Sequence, residues 1–263
     1  MIAQLNDVEL YYEVHGEGDP VLLIPGLGSD SATWSPLVAE FSNYRLIMVE
    51  NRGSGRSSKP AGRYSTAQMA EDAAGLLEML NVQKAHVIGK SMGGMVAQML
   101  AAQFPGLVRS LVLVSTLMKH DRYGEELLEL GREIAEKAGL FTTYRQAFVM
   151  SYSREYCMTN RSRLAEVKAL IDQMDEKEML KGYLAQSLAC QEHDASAEAP
   201  SIVAPTLVIT GREDLITTPE HARRLAAAIP NSELLIAPRG GHGLWREFAA
   251  DVNAPVLEFL RRH

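Results

Sequence analysis

One serine of this chain lies in a setting that suits covalent chemistry. The apolar run Ala85–Ile88 leads directly into the turn Gly89–Gly93, which reads G-K-S-M-G, and a helix-like stretch follows. Such a turn presents its serine hydroxyl at the carboxyl end of the strand, and its glycines stand where a Cβ would collide with neighbouring chain. The motif alone is also compatible with an ordinary glycine-rich turn. Between a strand and a helix, it predicts Ser91 as a nucleophile.

A carboxylate and a histidine follow two later strand-like segments. Asp214 comes shortly after Thr206–Thr210, and His242 follows Glu233–Ala237 within the sequence G-G-H-G. Both therefore fall at carboxyl ends of strands, beside the serine. In this arrangement the histidine accepts the serine proton and the aspartate orients the histidine. Glu213 adjoins Asp214 and competes for the acid role, whereas the other six histidines lack a glycine-flanked position at a strand end.

Two backbone N–H groups are candidates to stabilise negative charge on a substrate oxygen. The N–H of Met92 begins the helix after the serine, where it has no partner within the helix. The segment I-P-G-L-G at 24–28 follows an early strand, and Gly26 allows a close approach of the backbone. We therefore expect Leu27 to supply the second N–H donor. The alternative for this segment is a simple strand-ending turn.

These residues depend on alternating strand-like and helix-like segments for their positions. Short apolar, β-branched runs alternate with amphipathic stretches of helix length, which is typical of βαβ units and of a buried, mostly parallel sheet. The predicted strands are Val8–Val14, Val21–Ile24, Arg45–Val49, Ala85–Ile88, Ser110–Val114, Thr206–Thr210 and Glu233–Ala237. The predicted helices between them are Thr66–Leu80, Met92–Phe104 and one that begins after Thr218.

Strand signals are absent between about residues 117 and 200. The predicted helices of this stretch are Glu125–Ala138, Thr142–Tyr152, Ser162–Met174 and Lys177–Cys190. We therefore predict one folding unit in which residues 1–116 and 201–263 form an α/β core and residues 117–200 form an all-helical cap inserted into it. The residues expected to line a mainly apolar substrate site under this cap are Trp34, Met118, Phe148, Tyr152 and Leu244. For the aromatic residues of the cap, the alternative is ordinary helix packing.

The chain resembles the α/β-hydrolase superfamily over nearly its full length. The resemblance is carried by Gly26, E-N-R-G-S-G-R-S at 50–57, Gly89–Gly94, P-T-L-V at 205–208, Gly211–Asp214, G-H at 241–242 and Glu247. It implies the α/β-hydrolase fold, with helices flanking a mostly parallel central sheet and a helical cap, and it selects Asp214 over Glu213 as the acid of the triad. The sequence S-M-G-G-M-V-A-Q and the compact cap resemble small esterases, enol-lactonases and cofactor-free haloperoxidase-like enzymes.

Three positions depart from the family's usual pattern. Pro25 stands where the family often has histidine, so the loop that carries Leu27 differs from the usual one. Lys90 precedes the serine at a position commonly occupied by histidine. Its side chain is either solvated or places positive charge near the site. Glu50 replaces the more usual aspartate, which we interpret as structural.

Composition and charge exclude several classes of protein. The net charge is −7 and the basic residues are scattered, which argues against nucleic-acid binding. No apolar stretch is long enough to span a bilayer, and residues 1–7 lack the features of a signal peptide, so we expect a cytoplasmic protein without a membrane partner. Cys157 and Cys190 lack metal or redox spacing and are expected to be free thiols, with a disulfide between them left open. The sequence also leaves a homodimer open.

The hypothesis that follows is hydrolysis of a small carboxylic ester or lactone through an acyl-enzyme intermediate. Ser91 attacks the carbonyl, His242 takes and returns the proton, and Asp214 orients the imidazole. No metal and no organic cofactor is expected, since the protein supplies every reacting group. On the same residues, C–C bond hydrolysis of a diketone-like substrate and perhydrolysis with hydrogen peroxide remain alternatives. A non-catalytic ligand receptor that retains the pocket is a third.

Overall fold

The strands predicted from the sequence form one mostly parallel sheet in the computed structural model, which describes residues 1–5 and 7–263. The strands are β1 (Ile2–Leu5), β2 (Val8–His15), β3 (Asp19–Ile24), β4 (Tyr44–Val49), β5 (Ala85–Lys90), β6 (Val108–Val114), β7 (Thr206–Gly211) and β8 (Ser232–Ala237). Their order across the sheet is β1-β2-β4-β3-β5-β6-β7-β8. The pairs β1–β2 and β2–β4 are antiparallel, and the other neighbouring pairs are parallel. The carboxyl ends of β3 to β8 therefore meet at one edge, as expected.

Helices cover both faces of this sheet. In chain order, the α-helices of the described residues are α1 (Thr66–Met79), α2 (Met92–Gln103), α3 (Arg122–Ala138), α4 (Leu140–Ser151), α5 (Arg154–Thr159), α6 (Ser162–Ile171), α7 (Glu176–Gln191), α8 (Pro219–Ala228), α9 (Leu244–Glu247) and α10 (Ala249–Arg262). Alternate residues of a strand point to opposite faces. Accordingly, Leu22 and Ile24 of β3 belong to an apolar cluster that includes residues of α1, α2 and α8, while Val21 and Leu23 belong to one that includes residues of α10 and of the 3-10 helix Ser31–Leu37. The sheet is buried on both sides, which confirms the predicted fold class.

Among the strands and α-helices of the described residues, four are absent from the sequence-based prediction. β1 has only four residues, two of them exposed, so its apolar pattern is too short to separate from a loop. The helices α5 and α9 have only six and four residues, so they are also too short to be predicted from a repeating pattern. The longer helix α10 buries Val252, Val256 and Phe259 along one face. Pro255 lies inside α10, however, and a proline normally argues against a helix interior.

The segment between β6 and β7 contains the helices α3 to α7. Ala135, Leu140 and Ile171 form a small apolar cluster of their own, which joins α3, α4 and α6. Where this segment leaves and rejoins the sheet, Lys119 and Asp194 pair in an isolated antiparallel bridge and also through their side chains, at 2.6 Å. The division of the chain into a core and an inserted cap stays a prediction, and residues 117–200 are called the cap below.

Three further observations bear on the expected class of protein. Cys157 and Cys190 are both free thiols. Among the described residues, no helix has both the length and the apolar composition needed to cross a membrane. In the same part of the chain, no group of three or more histidine, cysteine or acidic side chains is placed to hold a metal ion.

Candidate active site

Ser91 lies between the end of β5 and the start of α2. Its backbone has φ 54° and ψ −122°, a conformation that costs a residue other than glycine about 1–3 kcal/mol and that is common at functional sites. A Cβ on Gly89 would lie 2.3 Å from the carbonyl oxygen of Gly93, and one on Gly93 would lie 2.0 Å from that of Ile24. The close approach of the chain therefore requires both glycines, as the motif predicts, and the tight turn holds Ser91 at the edge of the sheet.

The side chains of Ser91, His242 and Asp214 form one hydrogen-bonded chain. The Oγ atom of Ser91 lies 2.9 Å from Nε2 of His242. On the other side of the imidazole, Nδ1 lies 3.0 Å from Oδ2 of Asp214. Because Nδ1 donates to the carboxylate, Nε2 is the ring atom that can accept the serine proton. Glu213, the competing acid, is exposed and contacts the backbone N–H of Gly240 instead.

The carboxylate of Asp214 is only 2% exposed and is held as an anion. Its Oδ1 accepts hydrogen bonds from the backbone N–H groups of Ile216 and Thr217, both at 2.9 Å, and its Oδ2 accepts one from the Thr217 hydroxyl at 2.9 Å. Burial alone would raise the pKa of Asp214, but the attraction of His242 and these hydrogen bonds outweigh burial and lower the pKa below its usual value. Sequence analysis does not predict the role of Thr217, although an aspartate often accepts bonds from the turn that follows it.

The backbone N–H groups of Leu27 and Met92, the predicted oxyanion donors, make no hydrogen bond to any of the described residues. Met92 is the first residue of α2, so its N–H has no acceptor inside the helix. The loop that contains Leu27 approaches the serine closely, since a Cβ on Gly26 would lie 3.2 Å from the Cβ of Ser91. Both N–H groups are therefore available to an oxygen atom bound beside Ser91.

The cap holds the loop that contains Leu27 through side-chain hydrogen bonds. Gln186 of α7 accepts from the backbone N–H of Gly28 at 2.9 Å and donates to the carbonyl oxygen of Arg52 at 2.7 Å. Tyr144 of α4 donates from its hydroxyl to the carbonyl oxygen of Gly28 at 2.6 Å. Neither contact with Gly28 is predicted from the sequence, because each joins positions more than 100 residues apart. The cap therefore helps to hold the conformation of this loop.

A cavity of about 430 Å³ lies against Ser91 and His242. Three of the residues predicted for substrate binding, Trp34, Phe148 and Tyr152, line this cavity. The aromatic rings of Phe148 and Tyr152 also contact each other, with centroids 5.3 Å apart. The aromatic residues of the cap therefore both pack together and form a wall of the cavity.

The other two residues predicted for substrate binding, Met118 and Leu244, do not line the cavity. Leu244 is fully buried in the apolar cluster on the α10 side of the sheet. Met118 packs against the cluster on the opposite side. Both residues follow strand ends or the histidine turn in sequence, but packing directs their side chains into the core. The prediction that they contact substrate is therefore corrected.

Lys90, for which the sequence leaves two interpretations open, lies half-buried in the wall of the cavity. Burial, together with the positive charges of Arg246 and Arg163, lowers the pKa of Lys90 to about 8. Both arginines also line the cavity and are not among the residues predicted from sequence. The positive charge near the serine is thus greater than the motif alone indicates.

Comparisons with known proteins place this arrangement in a family. A sequence model described as the alpha/beta hydrolase fold matches residues 19–245. A relative from Caulobacter sp. (strain K31), named as the carbamate hydrolase RutD, is 29% identical over 258 residues, or 95% of each chain. A relative from Mycobacterium tuberculosis (strain H37Rv), named as the non-heme bromoperoxidase BpoC, is 32% identical over 96% of this chain and 98% of its own. The crystal structure of the enol-lactonase from Burkholderia xenovorans LB400 superposes with a TM-score of 0.90 at 28% identity, covering 99% of this chain and 100% of that one. The chain therefore belongs to the α/β-hydrolase family.

Proposed function

We propose that this hydrolase cleaves small carboxylic esters or lactones by acyl transfer to Ser91. The observation that supports this most is the hydrogen-bonded chain from Ser91 through His242 to Asp214, with distances of 2.9 and 3.0 Å, at the base of a cavity. Acyl transfer needs a nucleophile in contact with its general base, and it needs a third group that orients this base.

In the first step, Oγ of Ser91 attacks the carbonyl carbon while Nε2 of His242 takes the hydroxyl proton. The negative charge that develops on the carbonyl oxygen is stabilised by the N–H groups of Leu27 and Met92. The anionic Asp214 stabilises the imidazolium that forms. Collapse of the tetrahedral intermediate breaks the bond to the alcohol oxygen, which receives the proton from His242 and departs. The serine then carries the acyl group as an ester.

In the second step, water enters the position of the departed alcohol. His242 takes a proton from this water, the hydroxide oxygen attacks the acyl carbon, and the same two N–H groups hold the oxyanion. The intermediate collapses and releases the acid, and His242 returns the proton to the oxygen of Ser91. With a lactone, the alcohol and the acid are parts of one product. The similar enol-lactonase and the relative named as a carbamate hydrolase fit this scheme, because a lactone and a carbamate both present a carbonyl carbon to a nucleophile.

The proposal is tested with a panel of p-nitrophenyl esters and lactones and with a fluorophosphonate probe. We expect turnover of at least some short esters, and covalent labelling at Ser91 that peptide mass spectrometry locates. A parallel reaction with hydrogen peroxide distinguishes perhydrolysis, which would appear as peracid formation. Absence of turnover for every ester and lactone, with no labelling of Ser91, would rule out the proposed activity and leave the receptor alternative.

The contact between Gln186 and the loop that contains Leu27 makes a separate prediction. Gln186→Leu leaves the N–H of Gly28 and the carbonyl of Arg52 without partners, which is expected to cost about 1–3 kcal/mol of the free energy of unfolding. Because the loop also carries an oxyanion donor, we expect kcat to fall by about tenfold, which corresponds to about 1.4 kcal/mol of the activation barrier. Chemical denaturation and steady-state kinetics measure the two effects.

Gln191→Leu is the matched control for this substitution. Gln191 ends the same helix α7, but its side chain bonds to Glu129 and Arg132 of α3, away from the loop. We expect this variant to retain the kcat of the wild type. An equal fall of kcat in both variants would show that a general disturbance of α7, rather than the contact with Gly28, controls the rate.

A further inference from the structure

Three basic side chains line the cavity without an acidic partner. They come from separate elements: Lys90 ends β5, Arg163 belongs to α6 and Arg246 belongs to α9. Among the described residues, none of the three has a carboxylate oxygen within 4.0 Å of its cationic nitrogen atoms. Within the described part of the chain, the guanidinium group of Arg246 makes only long hydrogen bonds, of 3.4 Å, to the carbonyl oxygens of Ala32 and Thr33. Three cations of the described residues therefore line one cavity without a direct ion pair.

The acidic side chains around the cavity do not balance this charge. Asp30 is the one acidic residue among the described residues that line it. Its Oδ1 accepts a hydrogen bond from the N–H of Ala32 at 3.0 Å, so it caps the 3-10 helix that follows. Burial and the nearby Glu50 raise the pKa of Asp30 above its usual value. The wall of the cavity is thus strongly biased towards positive charge.

This lack of partners contrasts with the pairing of Arg52, the buried cation among the described residues. Arg52 is 2% exposed and pairs with Asp72 at 2.6 Å. Removing a cation from water without a partner costs free energy. Lys90, Arg163 and Arg246 are all half-buried, and the lowered pKa of Lys90 reflects that cost together with the repulsion from the two arginines. An anionic group bound among the three cations would offset both the cost of burying them and the repulsion between them.

Given the proposed serine hydrolysis, we propose that the substrate is an ester or lactone that carries a carboxylate, and that Lys90, Arg163 and Arg246 bind this carboxylate while the carbonyl lies at Ser91. A guanidinium group binds a carboxylate with two parallel hydrogen bonds, and an ammonium group adds a third donor. Phe148, Leu164 and Val167 line the same cavity and suit a short carbon chain between the two ends of the substrate. The cations then select among esters rather than take part in the chemistry of the carbonyl.

The test compares two substrates that differ only at the distal end. Methyl hexanoate and monomethyl adipate have the same methyl ester and the same chain of carbon atoms, but the second ends in a carboxylate. We expect the wild type to hydrolyse monomethyl adipate with at least a tenfold higher kcat/KM. In Arg246→Leu and in Arg163→Leu, the ratio of the two kcat/KM values is expected to fall about tenfold each, mainly through KM, as for a group that binds substrate and transition state equally. Product acids are quantified by chromatography.

Arg161→Leu is the matched control, because Arg161 is exposed, precedes α6 and does not line the cavity. It removes the same charge, so an unchanged ratio in this variant shows that the effect is local. If methyl hexanoate is hydrolysed in a Ser91-dependent manner but the wild type shows no preference for monomethyl adipate, the carboxylate proposal is wrong and the serine hydrolase proposal stands. The same conclusion would follow if the ratio of the two kcat/KM values were unchanged in both Arg246→Leu and Arg163→Leu.

A binding measurement covers the case in which neither ester is hydrolysed. Calorimetric titration of Ser91→Ala with monomethyl adipate is expected to give saturable binding, and the added Arg246→Leu substitution is expected to weaken it at least tenfold. Such a result supports the carboxylate site even if the serine hydrolase proposal fails. Absence of binding to Ser91→Ala, or equal binding to both proteins, would overturn the carboxylate proposal independently of turnover.

Discussion

Replacement of Ser91 by alanine is expected to lower kcat by about 10⁴- to 10⁶-fold on any ester that the wild type hydrolyses. The variant lacks the oxygen that forms the acyl-enzyme, and only water held near His242 can attack the carbonyl. The backbone need not change, since alanine replaces serine at the same φ of 54°. Steady-state kinetics with purified protein measure the loss, and a fluorophosphonate titration of active sites excludes contamination by wild type.

Ser115→Ala is the matched control for this loss. Ser115 follows the neighbouring strand β6, also has a positive φ, of 47°, and is fully buried, and its hydroxyl has no hydrogen-bond partner among the described residues. It is not hydrogen-bonded to His242, so we expect its removal to leave kcat close to that of the wild type. A residual rate in Ser91→Ala within tenfold of the wild type would contradict the assignment of the nucleophile.

A double substitution tests whether the serine and histidine act as a unit. Because His242 acts on the carbonyl only through the proton of Ser91 or of water, Ser91→Ala/His242→Ala is expected to lose little more activity than Ser91→Ala alone. Losses that multiply would indicate that His242 has a role apart from Ser91. The same kinetic assay is applied to Ser91→Ala, His242→Ala and the double variant.

Replacement of Arg52 by methionine is expected to lower the free energy of unfolding by about 3–5 kcal/mol. Arg52 is 2% exposed, and its guanidinium group donates to both carboxylate oxygens of Asp72, at 2.6 and 2.7 Å. Asp72 is 7% exposed on α1. Methionine fills similar space but leaves the Asp72 carboxylate buried without its main partner. Urea denaturation followed by far-ultraviolet circular dichroism measures the change.

Two further variants separate the buried charge from other effects of the Arg52 substitution. Adding Asp72→Leu removes the uncompensated carboxylate, so Arg52→Met/Asp72→Leu is expected to recover most of the lost stability. Arg109→Met breaks a more exposed pair with Asp19, at 2.9 Å, and is expected to have little effect. If Arg52→Met and Arg109→Met changed the stability equally, burial of the Asp72 charge would not be the cause.

Much of the fold follows from features that act over short stretches of sequence. The strand-like runs and the glycine-rich turns locate β2 to β8 to within a few residues, because backbone conformation depends strongly on local side chains. The predicted helix Thr142–Tyr152 corresponds to α4, Leu140–Ser151, with ends shifted by two residues or fewer. Prediction fails where an element is too short to show a period, as in β1 and α5, or where a proline lies inside it, as in α10.

The sequence by itself determined that Ser91, Asp214 and His242 would meet, because each follows a parallel strand and the carboxyl ends of such strands share one edge. Only the tertiary structure decided which side chains face the cavity. Leu244 turns into the core, while Arg163 and Arg246 reach the cavity from distant parts of the chain. The physical reason is that strand position is set by local backbone geometry, whereas side-chain direction and the balance of charge depend on packing between segments that are far apart in sequence.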